Sequence, residues 1–271
     1  MKLTIRNRLS RARKRLIRFS EDIRATVNPN AVVVLGNQKS GTTAIACLIA
    51  KASDSSLTND FLFRYPFSER RILKGENSLS SFVKRHPSCW AKDIVKEPGL
   101  SFHIPEIKDS FRSKRIVFVL RDPIENTRSI LNRLGLSGDL GPQKNRFYED
   151  LEIRFNPEWR DVVEGKLFGH GDPIPSCSLV KRALMCEQIS IENQSDLIIV
   201  SYKKFCENKK EYIESLCGRL GLPVCNDIRS CVDVQYQPPG KMVDNWEKFF
   251  GSRNLSLILE IVRRYKPEYI L

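Results

Sequence analysis

The residues with the clearest chemical meaning in this 271-residue chain form a short loop, Gly36-Asn-Gln-Lys-Ser-Gly-Thr-Thr43. The loop follows a continuous apolar, β-branched run, Ala31–Leu35, and precedes a segment with the 3.6-residue period of a helix, which begins at Thr42. In a strand–loop–helix unit of this kind, successive backbone N–H groups and the helix N-terminus can point at one anion. The two glycines let the backbone approach that anion closely. The loop therefore predicts a phosphate-binding site.

The lysine in this loop is displaced from the position that nucleoside triphosphates require. Loops that bind ATP or GTP read GxxxxGK[ST], with the lysine directly after the second glycine. Here Thr42 follows Gly41, and the lysine is Lys39, two residues before that glycine. An ATP-dependent kinase with Asp122 as magnesium ligand stays open as an alternative, but it lacks this diagnostic lysine. We therefore expect a different phosphate compound.

The loop resembles the first motif of the sulfotransferase family, which has the form K-S-G-T-T directly after the first strand. The family's second motif, R-D-P with a serine eight positions after the arginine, is matched by Arg121-Asp-Pro123 and Ser129. Arg121 would leave a strand end and Ser129 would lie one to two turns into the next helix, so both could contact a 3′ phosphate. The resemblance implies that the donor, 3′-phosphoadenosine 5′-phosphosulfate, is also bound by Gln38, Lys39, Ser40, Gly41, Thr42 and Thr43.

Two weaker matches extend the resemblance over residues 31–250. Tyr202 resembles the family's tyrosine that contacts adenine, and Pro239-Gly240-Lys241 resembles the late loop that covers the nucleotide, without its fuller basic triplet. Ala44 stands where members that act on phenols and steroids often carry a tryptophan, which places the resemblance closer to carbohydrate-type members. It implies sulfuryl transfer to a hydroxyl or amino group of a carbohydrate or glycolipid acceptor, with release of 3′-phosphoadenosine 5′-phosphate.

Sulfuryl transfer requires charge stabilisation on the leaving phosphate and removal of the acceptor's proton. Lys39 is the expected cation for the leaving group. Lys96-Glu97-Pro98 resembles the K-E-P segment of some carbohydrate sulfotransferases, which makes Glu97 our first candidate for the base. Burial would raise the pKa of Glu97 and adjacent lysines would lower it, and the sequence does not decide between them. His103 is the rival base, although it lies too far from Lys96 for the K-x-H pattern of cytosolic members.

An α/β domain is needed to bring these residues together. Apolar runs predict strands at Ala31–Leu35, Ile94-Val95, Arg115–Leu120 and Leu197–Val200. Helical patterns begin at Thr42 and after Asp122-Pro123, and recur at Ser178–Ser190, Lys209–Leu220 and Leu255–Val262. The alternation predicts a single domain with a central, mostly parallel sheet flanked by helices, as in the P-loop-like sulfotransferase fold, and ligands at the carboxyl ends of the strands. Loops and short helices are expected over 53–88.

The predicted domain organisation has a basic amphipathic N-terminal helix over 1–28 and a sulfotransferase domain over 29–271. Within that domain, residues 137–176 are rich in Gly, Pro, Asp and charged residues, which indicates a long excursion outside the sheet on the substrate side. Trp159 could stack there on a sugar ring of a glycan, and Arg146, Arg154 and Arg160 could bind its anionic groups.

Basic charge is concentrated near the start of the chain. The first 24 residues hold nine Lys and Arg against Glu21 and Asp22, about half of the net charge of +13. A solvated helix packed on the domain, peripheral contact with an anionic membrane, and disorder are all open for this segment. A nucleic-acid or polyanion-binding module is the alternative function that such charge allows. We expect no nucleic-acid partner, because so much of the excess lies in one segment.

Cysteine and histidine usage points to neither disulfides nor a metal. The eight cysteines are scattered without a CxxC pair, and the three histidines do not cluster with them at ligand spacings. No stretch approaches the roughly 20 apolar residues of a spanning helix, and the N-terminus lacks the apolar run of a secretory signal. We therefore expect a metal-free cytoplasmic enzyme, with peripheral membrane attachment as the open alternative. The sequence gives no expectation for the oligomeric state.

Overall fold

The computed structural model describes residues 16–62, 65, 68–73, 75–110, 115–236 and 245–269. The described residues form a five-stranded parallel sheet of β1 (Val32–Gly36), β2 (Leu57–Asn59), β3 (Ile94–Lys96), β4 (Ile116–Leu120) and β5 (Leu197–Ser201). The strand order is β2-β3-β1-β4-β5. Val33 of β1 pairs with Val95 on one side and with Ile116 on the other. The strands that precede the predicted motifs are therefore neighbours, and the prediction of an α/β fold with a parallel sheet is confirmed.

Helices cover both faces of this sheet. Their bounds are α1 (Thr42–Ala52), α2 (Ser68–Leu73), α3 (Leu79–Arg85), α4 (Ile104–Ser110), α5 (Pro123–Leu134), α6 (Asn145–Arg154), α7 (Pro157–Glu164), α8 (Pro175–Glu192), α9 (Tyr202–Glu207), α10 (Lys209–Arg219) and α11 (Trp246–Tyr265). Short 3₁₀ segments lie at Pro87–Trp90, Pro98–Leu100 and Lys166–Phe168. Each helix predicted within the domain is confirmed, with ends that differ by at most three residues except in α11, which begins nine residues before the predicted Leu255.

Alternate residues of β1 face two separate cores. Val33 and Leu35 pack in a cluster with Phe118 of β4, whereas Val32 and Val34 pack on the opposite face, in a cluster with Ile45 and other residues of α1. All are at most 1% exposed. A strand that is covered on both faces needs apolar side chains at every position, which is why β1 is an uninterrupted apolar run in the sequence.

The helix that carries the second motif starts at a well-formed cap. The Asp122 side chain accepts hydrogen bonds from the backbone N–H groups of Ile124 and Glu125, both at 3.0 Å. Pro123 occupies the first turn, where a missing N–H costs nothing, and Gly135 ends the helix with a φ of 62°. This cap uses the Asp122 carboxylate to fix the start of α5, so Asp122 already has a structural role.

Two parts of the chain contain more structure than the sequence predicts. Residues 53–88 include the edge strand β2, which pairs with β3 from Leu57 to Asn59 and is too short to give a periodic signal. Residues 137–176 contribute no strand to the sheet and include α6 and α7, while their predicted role on the substrate side stays a prediction. Apolar residues of those helices, among them Leu151 and Val163, are buried in a third core cluster against α8 and α11.

The N-terminal segment is described from residue 16 onward, and residues 16–24 are helical. Residues 1–15, and with them most of the predicted basic helix, lie outside the described residues. The division into 1–28 and 29–271 stays a prediction. Among the described helices, none combines the length and the apolar composition that crossing a bilayer demands.

Candidate active site

A cavity of about 770 Å³ opens where β1, β3, β4 and β5 end. Its size lies within the ~300–1,000 Å³ that is typical of small-molecule sites. Predicted site residues that line it are Gln38, Lys39, Gly41, Thr42, Thr43, Glu97, Arg121, Ser129 and Tyr202. Ser40 and His103 are described but do not line the cavity. Gly240 and Lys241 lie outside the described residues, so their predicted contact with the nucleotide stays a prediction.

The backbone of the loop after β1 adopts left-handed conformations at three residues. φ is 141° at Gly36, 65° at Lys39 and 98° at Gly41. A Cβ at Gly36 would lie 2.5 Å from the carbonyl oxygen of Val119, so only glycine fits between β1 and β4 there. Gly41 is the N-cap of α1 and has no side chain to cap it. The first N–H groups of α1 therefore remain available to an anion in the cavity.

Side chains behind the loop hold it in place. The Asn37 side-chain oxygen accepts from the Arg182 Nε at 2.9 Å and from the Gln38 backbone N–H at 3.0 Å. The Asn37 amide donates to the Asn126 side-chain oxygen at 2.7 Å, and the Asn126 amide donates to the Gln38 carbonyl at 3.0 Å. Asn126 belongs to α5, so these bonds join the two motifs that the sequence places about 80 residues apart. The loop is thus preorganised by its own packing.

Arg182 is the central residue of this support. Its guanidinium is fully buried between the rings of Phe102 and Phe168, with centroid distances of 4.6 and 4.3 Å, and it donates to the Gln38 side-chain oxygen at 3.0 Å. Sequence reasoning missed this residue. The available signal was an arginine between Leu179 and Ala183 of a predicted helix, at a position where the helical period favours an apolar side chain.

His103 lies behind the cavity rather than in its wall. The residue is 2% exposed, and burial lowers the pKa of its imidazole. Its Nδ1 is 3.6 Å from a carboxylate oxygen of Glu106. Two residues earlier, the buried Ser101 hydroxyl donates to the Gly36 carbonyl and accepts from its N–H, both at 2.9 Å, which ties this segment to β1. The geometry therefore does not bring His103 to a reacting acceptor.

Lys39 enters a strongly cationic part of the cavity. Partial burial is the main reason that its pKa falls from the usual 10.5 to about 8, and the positive charges of Arg133, Arg121 and Lys96 lower it further. Clustered cationic side chains repel one another, so a partly buried group of them is a candidate site for an anion. A ligand with negative charge at this point would relieve that repulsion.

Arg121 connects the loop to the end of β5. Its Nη1 donates to the carbonyl oxygen of Lys39 at 3.0 Å, and its guanidinium lies 4.8 Å from the ring centroid of Tyr202. Its Nη2 also donates to the carboxylate of Glu125 at 3.2 Å. Arginine forms planar, paired hydrogen bonds with phosphate, and an aromatic ring that holds the guanidinium in place adds to its preorganisation.

One face of α5 contributes more cationic and polar groups than the sequence motif names. Arg128, Ser129, Asn132 and Arg133 all line the cavity, and their spacing over four to five residues places them on adjacent turns. The Arg128 Nε is buried without a hydrogen-bond partner among the described residues, and its guanidinium lies 5.5 Å from the Trp246 ring. Burial lowers the pKa of Arg128, and Arg121 lowers it further. These residues could have been found from the sequence, because they lie one residue or one helical turn away from Ser129 on the same predicted helix.

The opposite side of the cavity is acidic. Glu97 is 5% exposed, and each of its oxygens accepts one backbone N–H, from Leu62 at 2.9 Å and from Gly99 at 3.1 Å. Burial, followed by the charge of Asp60, raises the pKa of Glu97 to about 7. Desolvation therefore outweighs the adjacent lysine, whose ammonium is paired with the Asp60 carboxylate.

Glu158 is a second carboxylate at this acidic end, and sequence reasoning missed it. It lies in the first turn of α7 and lines the cavity, and its Oε1 is buried without a hydrogen-bond partner among the described residues. Burial, followed by the charge of Glu97, raises its pKa to about 8. No sequence signal could have found it, because its position depends on how α7 packs against α6 and α8.

The four residues predicted to face an acceptor have different environments. Trp159 lines the cavity next to Glu158. Arg160 is instead paired with Glu152 and Glu164 at 2.9 and 3.2 Å. Arg146 and Arg154 are exposed and do not belong to the lining. Among the described residues, no group of His, Cys, Asp and Glu has the geometry of a metal site.

Comparison with known proteins gives a limited result. No protein-family model matches the chain, and no curated protein matches it significantly. Among solved structures, a sulfotransferase from Alicyclobacillus acidocaldarius superposes with a TM-score of 0.44 and 12% sequence identity, over 86% of this chain and 96% of that one. A likeness at this level assigns neither activity nor substrate to this chain.

Proposed function

We propose that the protein transfers a sulfuryl group from 3′-phosphoadenosine 5′-phosphosulfate to a hydroxyl or amino acceptor. The observation that carries the proposal is the meeting of two cationic sites in one cavity. Lys39 and the N-terminus of α1 form the first, and Arg121 with the Arg128–Arg133 face of α5 forms the second. A nucleotide with charged groups on both the 5′ and the 3′ oxygen would occupy both sites.

The residues present fit such a nucleotide. Thr42, Thr43 and the free N–H groups of α1 would bind its 5′ phosphate, and Arg121, Arg128 and Ser129 its 3′ phosphate. Tyr202 and Phe205, which line the same cavity with ring centroids 5.9 Å apart, offer apolar surface to the base. The donor supplies the sulfuryl group. Its 5′ phosphate is the leaving group and carries an added negative charge after the transfer.

Lys39 stabilises that charge. As the acceptor oxygen or nitrogen bonds to sulfur, the bond between sulfur and the bridging oxygen breaks, and the electron pair stays on the phosphate. An ammonium group next to the bridging oxygen favours this charge in the transition state over the ground state. Its lowered pKa also allows Lys39 to give a proton to the phosphate.

Glu97 takes the acceptor's proton in this proposal. With a pKa raised to about 7, a substantial fraction of the carboxylate is ionised at neutral pH and still basic enough to accept a proton. The two backbone N–H groups that hold its oxygens fix its orientation. Glu158, with a free buried oxygen in the same wall, either shares that proton or binds the acceptor's hydroxyl groups.

A carbohydrate or glycolipid remains the proposed acceptor class. The feature in its favour is Trp159, which lines the same cavity as Glu97 and Glu158, since aromatic rings and carboxylates suit the apolar and hydroxyl faces of a sugar. The donor-site proposal does not depend on the acceptor class.

Calorimetric titration tests the proposed function against its alternatives. We expect 3′-phosphoadenosine 5′-phosphate to bind with a stoichiometry of one and more tightly than ATP with magnesium. Tighter binding of ATP would favour the kinase, and binding of neither nucleotide would contradict the proposal. An oligonucleotide that competed with the nucleotide for the cavity would favour the polyanion-binding alternative.

A further inference from the structure

The helix at residues 16–24 is attached to the domain by its polar side. The Asp22 carboxylate accepts from the Ser88 hydroxyl and, at 3.3 Å, from the Ser88 N–H, and it lies 3.1 Å from the His86 Nδ1. The Arg18 guanidinium lies 5.6 Å from the Tyr65 ring centroid. Because Arg18 and Asp22 are one helical turn apart, they belong to the same face, and that face is turned toward the domain.

Another face of this helix is apolar and turned outward. Leu16, Phe19 and Ile23 are 70%, 65% and 68% exposed, and their i, i+3, i+7 spacing places them on one face. Ile17 beside them is 47% exposed. A surface helix normally packs its apolar face on the core and leaves its polar face in water. The reversed arrangement leaves a row of large apolar side chains with no cover from the described residues.

The positive charge of the neighbouring sequence indicates what kind of surface would cover this apolar face. Lys and Arg make up nine of the first 24 residues, and seven of these nine precede residue 16. A basic segment that adjoins an exposed Leu, Phe and Ile face has the composition of an interfacial helix, which inserts apolar side chains while Lys and Arg contact lipid phosphates. Nucleic acid would use the basic charge but leaves the exposed apolar face uncovered.

We propose that the 16–24 helix docks on an anionic phospholipid bilayer. The helix lies in the plane of the surface, with Leu16, Phe19 and Ile23 among the acyl chains, and the positive charge of the sequence before residue 16 favours anionic headgroups. The Asp22 contacts to Ser88 and His86 then hold the domain in a fixed orientation on that surface. This inference concerns a surface that does not line the cavity, and it does not depend on the proposed function.

Co-sedimentation of the full-length protein with vesicles tests the proposal. We expect binding to vesicles of phosphatidylglycerol and phosphatidylcholine, and little binding to vesicles of phosphatidylcholine alone. Ile23→Glu should weaken binding by at least about tenfold, because it places a charge on the inserted face. Ile191→Glu is the matched control: Ile191 is also an exposed isoleucine, at 61%, but lies at the end of α8, and the change should leave binding unaltered.

Each of the other outcomes would overturn the proposal. No binding to either vesicle would do so, as would equal losses for Ile23→Glu and Ile191→Glu. Unchanged binding of Ile23→Glu would show adhesion by charge alone. A wild-type dimer in light scattering that Ile23→Glu converts to a monomer, without vesicle binding, would assign the face to a second copy of the chain. Circular dichroism of both variants confirms that the comparison is between folded proteins.

Discussion

The Tyr202 ring occupies the space that a side chain on Gly41 would need. A Cβ added to Gly41 would lie 2.2 Å from the Tyr202 Cε2, and the φ of 98° at Gly41 belongs to the left-handed region. The loop after β1 and the residue after β5 are therefore interlocked at the floor of the cavity. The glycine is needed twice, for its backbone conformation and for contact with the ring.

Gly41→Ala should therefore destabilise the protein and disrupt nucleotide binding. We expect a loss on the order of 2–3 kcal/mol in the free energy of unfolding, because the alanine combines an unfavourable φ with a steric clash. Gly218→Ala is the matched control, since a Cβ there meets nothing within 4 Å and the residue lies in α10. That change should be neutral or slightly stabilising. Urea unfolding measures both variants, and equal stability would contradict the interlock.

Arg121→Ala should weaken binding of the 3′-phosphorylated nucleotide selectively. The loss of a charged, paired contact predicts a roughly 10- to 100-fold weaker affinity for 3′-phosphoadenosine 5′-phosphate. Affinity for adenosine 5′-monophosphate, which lacks the 3′ phosphate, should change much less. Arg146→Ala, at an exposed site outside the cavity lining, serves as the control for the loss of one positive charge. Equal effects of Arg121→Ala on the two nucleotides would show that Arg121 does not recognise the 3′ phosphate.

The parts of the site that could be predicted from the sequence are those built by local chain geometry. The loop after β1 and the start of α5 each follow a buried strand directly, so strand ends, glycines and caps place Lys39 and Arg121 within a few residues. Parallel strands then bring these ends to one edge of the sheet. This is also why the fold class was predictable while the three-residue β2 was not.

The remaining parts depend on contacts between distant segments. Glu158 reaches the cavity because Leu151, Val162 and Val163 of its helix pair are buried against α8 and α11. His103 lies outside the cavity lining, directly before α4, whose Ile104 and Ile107 are buried in the core. Neither placement has a local periodic signal. From the sequence, Glu97 was the first candidate for the base and His103 the rival. Both residues are buried, but only Glu97 lines the cavity.

Nucleotide binding should depend on pH through Lys39. Its pKa is lowered to about 8, so the ammonium is formed below that pH and is progressively lost above it. The nucleotide's own phosphates are fully ionised above about pH 7. We therefore expect affinity for 3′-phosphoadenosine 5′-phosphate to be constant from about pH 7 to 7.5 and to fall by up to tenfold per unit above about 8. Lys39→Met should bind more weakly, and its affinity should vary less across this range.

Proton uptake provides an independent check on Lys39. Above about pH 8, binding must return a proton to the ammonium, so the calorimetric enthalpy should depend on the ionisation enthalpy of the buffer. This dependence should disappear in Lys39→Met. A buffer dependence that persists unchanged in the variant would assign the proton to another group.

Glu158→Gln should change the way that stability depends on pH. The pKa of Glu158 is raised to about 8 in the folded protein, above the usual 4.5, so the folded chain keeps a proton that the unfolded chain has already released. Its contribution to stability is complete below about pH 4.5 and is lost as the pH rises to about 8. Glutamine carries no titrating proton. The free energy of unfolding of the variant should therefore rise relative to that of the wild type as the pH increases from about 5 to 8.5. Glu149→Gln, at an exposed position on α6, should keep a constant difference from the wild type. Urea unfolding at several pH values measures these differences, and parallel curves for Glu158→Gln and the wild type would show that the Glu158 carboxyl is ionised in the cavity.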